Sequence, residues 1–426
     1  MNPLATDHPT STLTQSQSST GGLYQRLVLS AFAKMNAGCL QLTLPNGLTQ
    51  IIGSPNSPII AQIHILHPRF FQKCVLFGDV GFGESFVDGD WQTPSIERVI
   101  AWAILNVENS PSMSGSKTRQ FALNVLQCYN RALHVLRPNS LDTARQNIAE
   151  HYDLGNDFYQ IWLDPTMTYS SALFSHPHQS LESAQTAKYD ALCRKLQLQP
   201  TDHLLEIGSG WGGFTSHAVR HYGCRVTTVT ISEAQFKYAR DRFAREGIAD
   251  RVDLQLTDYR RITGQFDKVA SIEMMEAIGD RYLETYFAKI DEVLKPGGLV
   301  GLQYITVPDC RHLELKRGID WIQKHIFPGS LLLSIGRVNS ALHRTSNLFL
   351  HHLEDLGLSY AKTLHLWWET FNARSQDVLD LGFDDRFIRR WNYYLQYCEA
   401  AFTMRNISVV QAIYTRPNNR SLQPLP

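Results

Sequence analysis

The chain carries no excess charge of either sign: 40 lysines and arginines stand against 40 aspartates and glutamates over 426 residues. Whole-molecule attraction to nucleic acid or to an anionic membrane is therefore not expected, and only local patches remain for such contacts. Paired cysteines are missing too. The seven thiols, at 39, 74, 128, 193, 224, 310 and 398, form no CxxC pair and no metal-ligand spacing. Their odd number points to reduced thiols in a cytoplasmic setting, with no metal site. No apolar run reaches the roughly 18 residues that cross a bilayer, so a soluble protein is expected. The opening, MNPLATDHPTSTLTQSQSSTGG, holds Ser, Thr and Gln where a signal peptide needs an apolar segment. Residues 1–22 read as a disordered tail.

What the chain does hold is rhythm. Residues 23–136 read as a small α+β module, opening with LQLTLPNGLTQIIG, which alternates about a Pro-Asn-Gly turn as a hairpin does. AQIHIL and CVLFGD continue the strand pattern, GDVGFGESFVDGDW reads as a glycine-rich acidic loop, and IERVIAWAILNVE is helical. From about 141 to 199 the pattern is mainly helical, with AQTAKYDALCRKLQL stopped by Pro200. Strands and helices then alternate, from HLLEIG through CRVTTVT, RVDLQLTD and FDKVASIE to LVGLQYI. Such alternation predicts an α/β fold with a doubly wound, Rossmann-like parallel sheet. Beyond about 305 the chain is aromatic and helical. His351 and His352 read as neighbours on a helix that face solvent, not one metal.

EIGSGWGGF (206–214) follows a strand and opens a helix, and Gly208, Gly210 and Gly213 satisfy GxGxxG. That pattern admits a dinucleotide, S-adenosylmethionine or a tight turn without a ligand. Glu206, two residues before the first glycine, can receive the amino group of a methionine moiety. The next strand ends without an acid, Glu233 follows it, and Asp258 and Tyr259 end the third, suited to an adenine. These details favour S-adenosylmethionine. In SIEMMEAIG (271–279), Glu273 and Glu276 stand three apart among apolar neighbours. Buried carboxylates need pairing, hydrogen bonds or a proton.

EHYDLGNDFYQIWLDPTMTYSSALF (150–174), LLEIGSGWGGF, VTISEAQ, FDKVASIEMMEAIG, WIQKHIFPGSLLLS and GFDDRFIRRWNYYLQYCEAAF together resemble the cyclopropane-fatty-acyl-phospholipid synthase family. The resemblance runs from about 25 to about 416 and is closest to the subgroup containing the plant enzymes, which share EMxEA. It implies a lipid-binding-type N-terminal domain over 23–136 and a methyltransferase domain over 137–417. An insertion at about 305–365 covers the substrate, and 418–426 is a tail. It also implies an S-adenosylmethionine-dependent enzyme that adds a methyl carbon to the cis double bond of a membrane phospholipid. A base then removes a proton and a cyclopropane closes. Loss of a different proton gives a methylene or methyl branch instead. A lipid-binding protein with a relic methyltransferase fold and an NAD oxidoreductase are the remaining alternatives.

In the family the base is bicarbonate, held by a Glu, a Tyr, a His, a Cys and an Ile amide. Glu276, Tyr360 and Ile305 match the first, second and last. The cysteine position is Ser171 and the histidine position is Gln303, which cannot carry charge, so these two replacements weigh against bicarbonate. For the cofactor the resemblance implies Tyr169, Ser170, Glu206, Gly208, Gly210, Thr230, Gln235, Asp258 and Tyr259. Many family members carry glycine at Glu273. Here its acid either supplies the basic carboxylate or pairs with a lysine or arginine. Trp367, Trp368, Phe371, Trp391, Tyr393, Tyr394 and Tyr397 are helix core or line an acyl tunnel. KHIFPGSLLLSIGRV (324–338) is expected to expose apolar residues as a membrane-contacting lid. The protein is thus expected to be cytoplasmic, peripheral to the membrane, without nucleic acid, and a possible homodimer.

Overall fold

Between 203 and 306 the runs of β-branched and aliphatic residues pair side by side in parallel, because the intervening segments carry the chain back to start each strand at the same end of the sheet. The result is a computed structural model that describes residues 22–107, 154–420 and 422. The expected tails, the boundary at 136–137 and the helical reading of 141–153 lie outside those residues. Strands β5 (His203–Ile207), β6 (Arg225–Thr230), β7 (Val252–Leu256), β8 (Phe266–Ile272), β9 (Leu294–Thr306), β10 (Phe349–Asp355) and β11 (Ser408–Thr415) form one sheet in the order β10-β11-β9-β8-β5-β6-β7. Neighbours from β9 to β7 are parallel, and β11 runs antiparallel between β9 and β10. The expected doubly wound α/β sheet is present.

Helices cover both faces. On one, α5 (Leu181–Lys195), α6 (Gly213–Tyr222) and α7 (Glu233–Arg245) pack on Leu204, Val226, Ala270, Leu299 and Ile413. On the other, α8 (Leu283–Val293) and α11 (Ile335–Thr345) pack on Leu205, Val229, Val269, Val300 and Val410. The chain leaves β5 towards β6 and β7, then returns to place β8 on the opposite side of β5. That reversal opens a crevice above the carboxyl ends of β5 and β8, where open α/β sheets take their ligands. Helix α5 ends at Lys195, ahead of Pro200. The left-handed backbone of Gln197 (φ 52°) turns the chain before the proline is reached.

The N-terminal sheet, ordered β2-β1-β3-β4, joins the hairpin β1 (Cys39–Thr43) and β2 (Thr49–Gly53) to β3 (Ile60–Ile65) and β4 (Trp91–Gln92). With it come α1 (Leu23–Phe32), α2 (Arg69–Val87) and α3 (Ile96–Leu105). Helix α2 corrects two expectations, since CVLFGD is not a strand and GDVGFGESFV is not a loop. Its glycines serve close packing, with a kink at Gly78. A Cβ on Gly81 would lie 2.1 Å from the Lys73 carbonyl, and one on Gly83 would lie 2.5 Å from the Trp321 ring.

The apolar core of this module is continuous with the C-terminal helices α12 (Gly357–Ala373) and α14 (Asp385–Thr403). Trp367, Phe371, Trp391, Tyr393 and Tyr394 are buried in that shared core, with Trp368 and Tyr397 packed against it. His351 and His352 lie on β10, not on a helix, where a bulge between Leu350 and His352 interrupts the pairing. Nor does 324–338 present a free apolar face: Ile326, Leu333 and Val338 are buried and Phe327 and Leu331 half-buried, packed on the two cores. No helix among the described residues is long and apolar enough to cross a membrane.

Candidate active site

Two strand ends build the crevice. After β5 the chain turns through Gly208 (φ 95°), Gly210 (φ 49°) and Gly212 (φ 83°), left-handed positions that a side chain resists. The amides of Gly208 and Ser209 both donate to the Val229 carbonyl at 3.0 Å, which ties the turn to β6. A Cβ on Gly210 would meet nothing within 4 Å, whereas one on Gly212 would strike Phe243 at 2.7 Å. Gly210 therefore faces open space, as a cradle for a ligand must, while Gly212 serves packing.

Around this turn stand the other residues assigned to a cofactor. Thr230 donates to Gln235 Oε1 (3.0 Å) at the mouth of β6, and Ser232 caps α7. Asp258, after β7, is gripped by Nε and Nη2 of the Arg260 guanidinium (2.8 and 2.7 Å). Burial opposes its charge, but that fork holds its carboxyl below the usual range. Beside it, Tyr259 packs edge-on to Tyr286. Glu206 is buried at the end of β5, with Oε2 accepting from Thr215 (2.5 Å) and Thr228 (2.6 Å). Burial raises its pKa to about 7 against those bonds. Its Oε2 thus braces the strand and helix around the turn. Tyr169 shares a 2.8 Å hydroxyl contact with Tyr394, and Ser170 Oγ accepts from Lys188 at 2.6 Å.

The end of β8 carries the two acids. Glu273 is not glycine, yet its φ is 49°, and its amide donates to the Gln303 carbonyl at 2.7 Å. Strain of this kind, about 1 kcal/mol or more, gathers at functional positions. Its Oε1 accepts from the Ser171 amide (2.8 Å) and from Gln303 Nε2 (2.8 Å). The Tyr360 hydroxyl, from α12, also bonds this carboxylate. Burial raises the Glu273 pKa, while Lys188 and the three donors pull it back. Three residues on, Glu276 Oε1 accepts from the Ile305 amide at 2.5 Å, and its buried Oε2 has no partner. Burial, then the neighbouring Glu273 charge, pushes Glu276 up to about 8. Burial thus opposes the charge of both acids, and Glu276 carries the further push of its neighbour. The Leu331 amide donates to the Glu276 carbonyl at 2.9 Å, so 324–338 is fastened to this strand end.

The structure thus brings Glu273, Ser171, Gln303 and Tyr360 onto one carboxylate, with Glu276 and Ile305 beside them. Of the donors that the resemblance allots to bicarbonate, Gln303 and Tyr360 reach Glu273, as does the Ser171 main-chain amide, while the Ile305 amide is taken by Glu276. Among the described residues no lysine or arginine forms a salt bridge with Glu273, and the Lys188 charge acts on it from a greater distance. Sequence reading missed Lys188, wholly buried beside Tyr189 (4.4 Å to the ring centroid), its pKa lowered by burial to about 8. The signal was there: Lys188 and Lys195, seven apart, share the face of α5 that holds Ala184, Ala191 and Leu192.

Residues 139–412 match the family described as mycolic acid cyclopropane synthetase. The chain is 38% identical over 391 residues to tuberculostearic acid methyltransferase UfaA1 of Mycobacterium tuberculosis, covering 87% of this chain and 86% of that protein. It is 35% identical over 366 residues to the cyclopropane-fatty-acyl-phospholipid synthase of Escherichia coli K12, covering 85% and 89%. Among solved structures, mycolic acid cyclopropane synthase CmaA1 complexed with S-adenosylhomocysteine and CTAB superposes with a TM-score of 0.59 at 28% identity. That match covers 64% of this chain and 98% of the other. The open glycine turn, the switch-point crevice and these matches agree: the chain belongs to the mycolic acid cyclopropane synthetase family and is an S-adenosylmethionine-dependent methyltransferase.

Proposed function

We propose that the enzyme adds a methylene carbon across the cis double bond of an unsaturated acyl chain in a phospholipid, with Glu273 as the base. S-adenosylmethionine supplies a methyl group on a positively charged sulfur. Gly208, Gly210, Thr230, Gln235, Asp258 and Tyr259 line its place, Tyr169 and Ser170 close it, and Glu206 braces the turn. Once the alkene has bonded the methyl carbon, the adjacent carbon is electron-deficient and the new methyl protons are acidic. The Glu273 carboxylate accepts one of them, and the electron pair of that C–H bond closes the ring. Glu276, protonated at neutral pH, adds no second negative charge, and Tyr360 remains a donor because burial and the Glu273 charge keep its phenol pKa high. The observation that carries this reading is the convergence of Ser171, Gln303 and Tyr360 on the Glu273 carboxylate.

The test is expression in a host lacking cyclopropane lipids, with gas chromatography of its fatty acids, and assay of Glu273→Gln in CO2-depleted buffer. Turnover is expected to need no bicarbonate in the parent and to fall at least about a hundredfold in the variant. Full bicarbonate dependence in both proteins would assign the base to the ion. The similarity to a tuberculostearic acid methyltransferase supports a second reading, a methylene or methyl branch made from the same intermediate. Ozonolysis before mass spectrometry separates an exocyclic methylene from its cyclopropane isomer. Because the acyl chain lies in a bilayer, the reading includes peripheral docking at the cytoplasmic face; vesicle sedimentation tests the docking, and light scattering tests a homodimer.

A further inference from the structure

Glu273 stands at one end of a buried polar row that crosses the sheet. Glu354 on β10 lies opposite Gln411 on β11, and Gln411 lies opposite Gln303 on β9. Gln303 in turn faces Ile272, the residue before Glu273. Residues opposite in register share a face, here the one under α5, where Leu192 and Leu196 crowd Gly301. Lys195, at the end of α5, donates to Glu354 and, at 2.6 Å, to Gln411 Oε1. Gln411 Nε2 donates to Gln303 Oε1 at 3.0 Å and to the Lys188 carbonyl at 3.2 Å. Gln303 Nε2 ends the row on Glu273 Oε1 at 2.8 Å. Both glutamines are buried, at 0% and 1% exposure for Gln411 and Gln303.

A carboxamide keeps its outline when oxygen and nitrogen change places, so each glutamine has two settings of nearly equal shape. Lys195 and the Lys188 carbonyl choose the setting of Gln411, and Gln303 Nε2 also donates to the Ser171 carbonyl at 3.3 Å. An ammonium only donates, so Gln411 turns its oxygen to Lys195 and its NH2 to Gln303. Gln303 must then accept on that side and donate on the other. The opposite setting would aim a carbonyl oxygen at the Glu273 carboxylate.

We propose that Gln411, oriented by Lys195, is a positioning residue that fixes Gln303 as a hydrogen-bond donor to the catalytic base, and so sets the proton affinity of Glu273. This rests on Glu273 being the base. The charged and titratable groups facing Glu273 are Glu276 on its own segment, Lys188 from α5 and Tyr360 from α12. Of these only Lys188 touches Gln411, through its main-chain carbonyl, so changing Gln411 leaves their charges in place.

Gln411→Glu keeps the shape and the bond from Lys195 but offers Gln303 an acceptor. Gln303 then reverses and presents oxygen to Glu273, whose charged form loses a donor and whose pKa rises. With S-adenosylmethionine and dioleoyl phospholipid vesicles, kcat is expected to fall about tenfold or more, and its acid limb to move up by about one pH unit. KM for S-adenosylmethionine should not change. Lys195→Met, at the more accessible end of the row, should shift the limb the same way by less. Calorimetric binding of S-adenosylhomocysteine reports the fold in each variant. A parental pH profile in a folded Gln411→Glu overturns the proposal; should that variant not fold, a parental profile in Lys195→Met does so. Full turnover by Glu273→Gln would instead remove the base reading itself, which is a distinct result.

Discussion

Glu276 contributes to stability with a sign opposite to that of an exposed acid. Its carboxyl is buried, one oxygen on the Ile305 amide and the other unpartnered, and its pKa stands at about 8 against an ordinary 4.5. A folded-state pKa above the unfolded one means that the contribution is whole below about 4.5 and drains away as pH rises towards 8. Gln is isosteric and has no charge to bury. Glu276→Gln should therefore leave Tm near the parental value at pH 4 and raise it at pH 8, read by calorimetry across that range. A Tm difference that does not vary with pH would show that Glu276 is ionised in the fold. The same residue illustrates how far sequence goes: SIEMMEAIG announced two acids among apolar neighbours, but not which would keep its proton. That depended on Ser171, Gln303 and Tyr360, up to 102 residues away in the chain, all choosing Glu273.

Among the elements, the β5–α6 turn separates two uses of glycine that look alike in sequence. Gly212→Ala places a Cβ at 2.7 Å from Phe243 in a left-handed conformation and should cost about 2–3 kcal/mol in urea unfolding. Gly210→Ala meets no neighbour and should cost only about 1 kcal/mol of backbone strain, while weakening S-adenosylhomocysteine binding measured by calorimetry. Equal binding by Gly210→Ala and the parent would move the cofactor away from this turn. The parallel strands were legible because buried β-branched runs and intervening helices repeat from HLLEIG onwards. Helix α2 was not, because glycine there signals close approach to Lys73 and Trp321 rather than a loop. Strand β10 was missed for a related reason: LFLHHLED lacks the clean alternation of a half-buried strand and joins the sheet through a bulge between Leu350 and His352.

For the molecule as a whole, the N-terminal sheet and the catalytic helices share one apolar core, so they should unfold together. The Ile96 amide opens α3 and has no partner in its own helix; it donates to Gln396 Oε1 of α14 at 2.9 Å. Arg389 of α14 donates to the Phe86 carbonyl, a second tie between the parts. Gln396→Met strands the Ile96 amide and should lower stability by about 1–3 kcal/mol. Tryptophan fluorescence and loss of S-adenosylhomocysteine binding should shift to the same urea midpoint; two midpoints would mean independent units. The tie between Ile96 and Gln396 spans 300 residues of chain. A ribosome adds about 5–20 residues each second, so α3 waits roughly 15–60 s for the helix that covers it. During synthesis the N-terminal module is an unfinished surface, with the start of α3 at Ile96 uncovered until the last helices emerge, and the nascent chain is most exposed to aggregation in that interval.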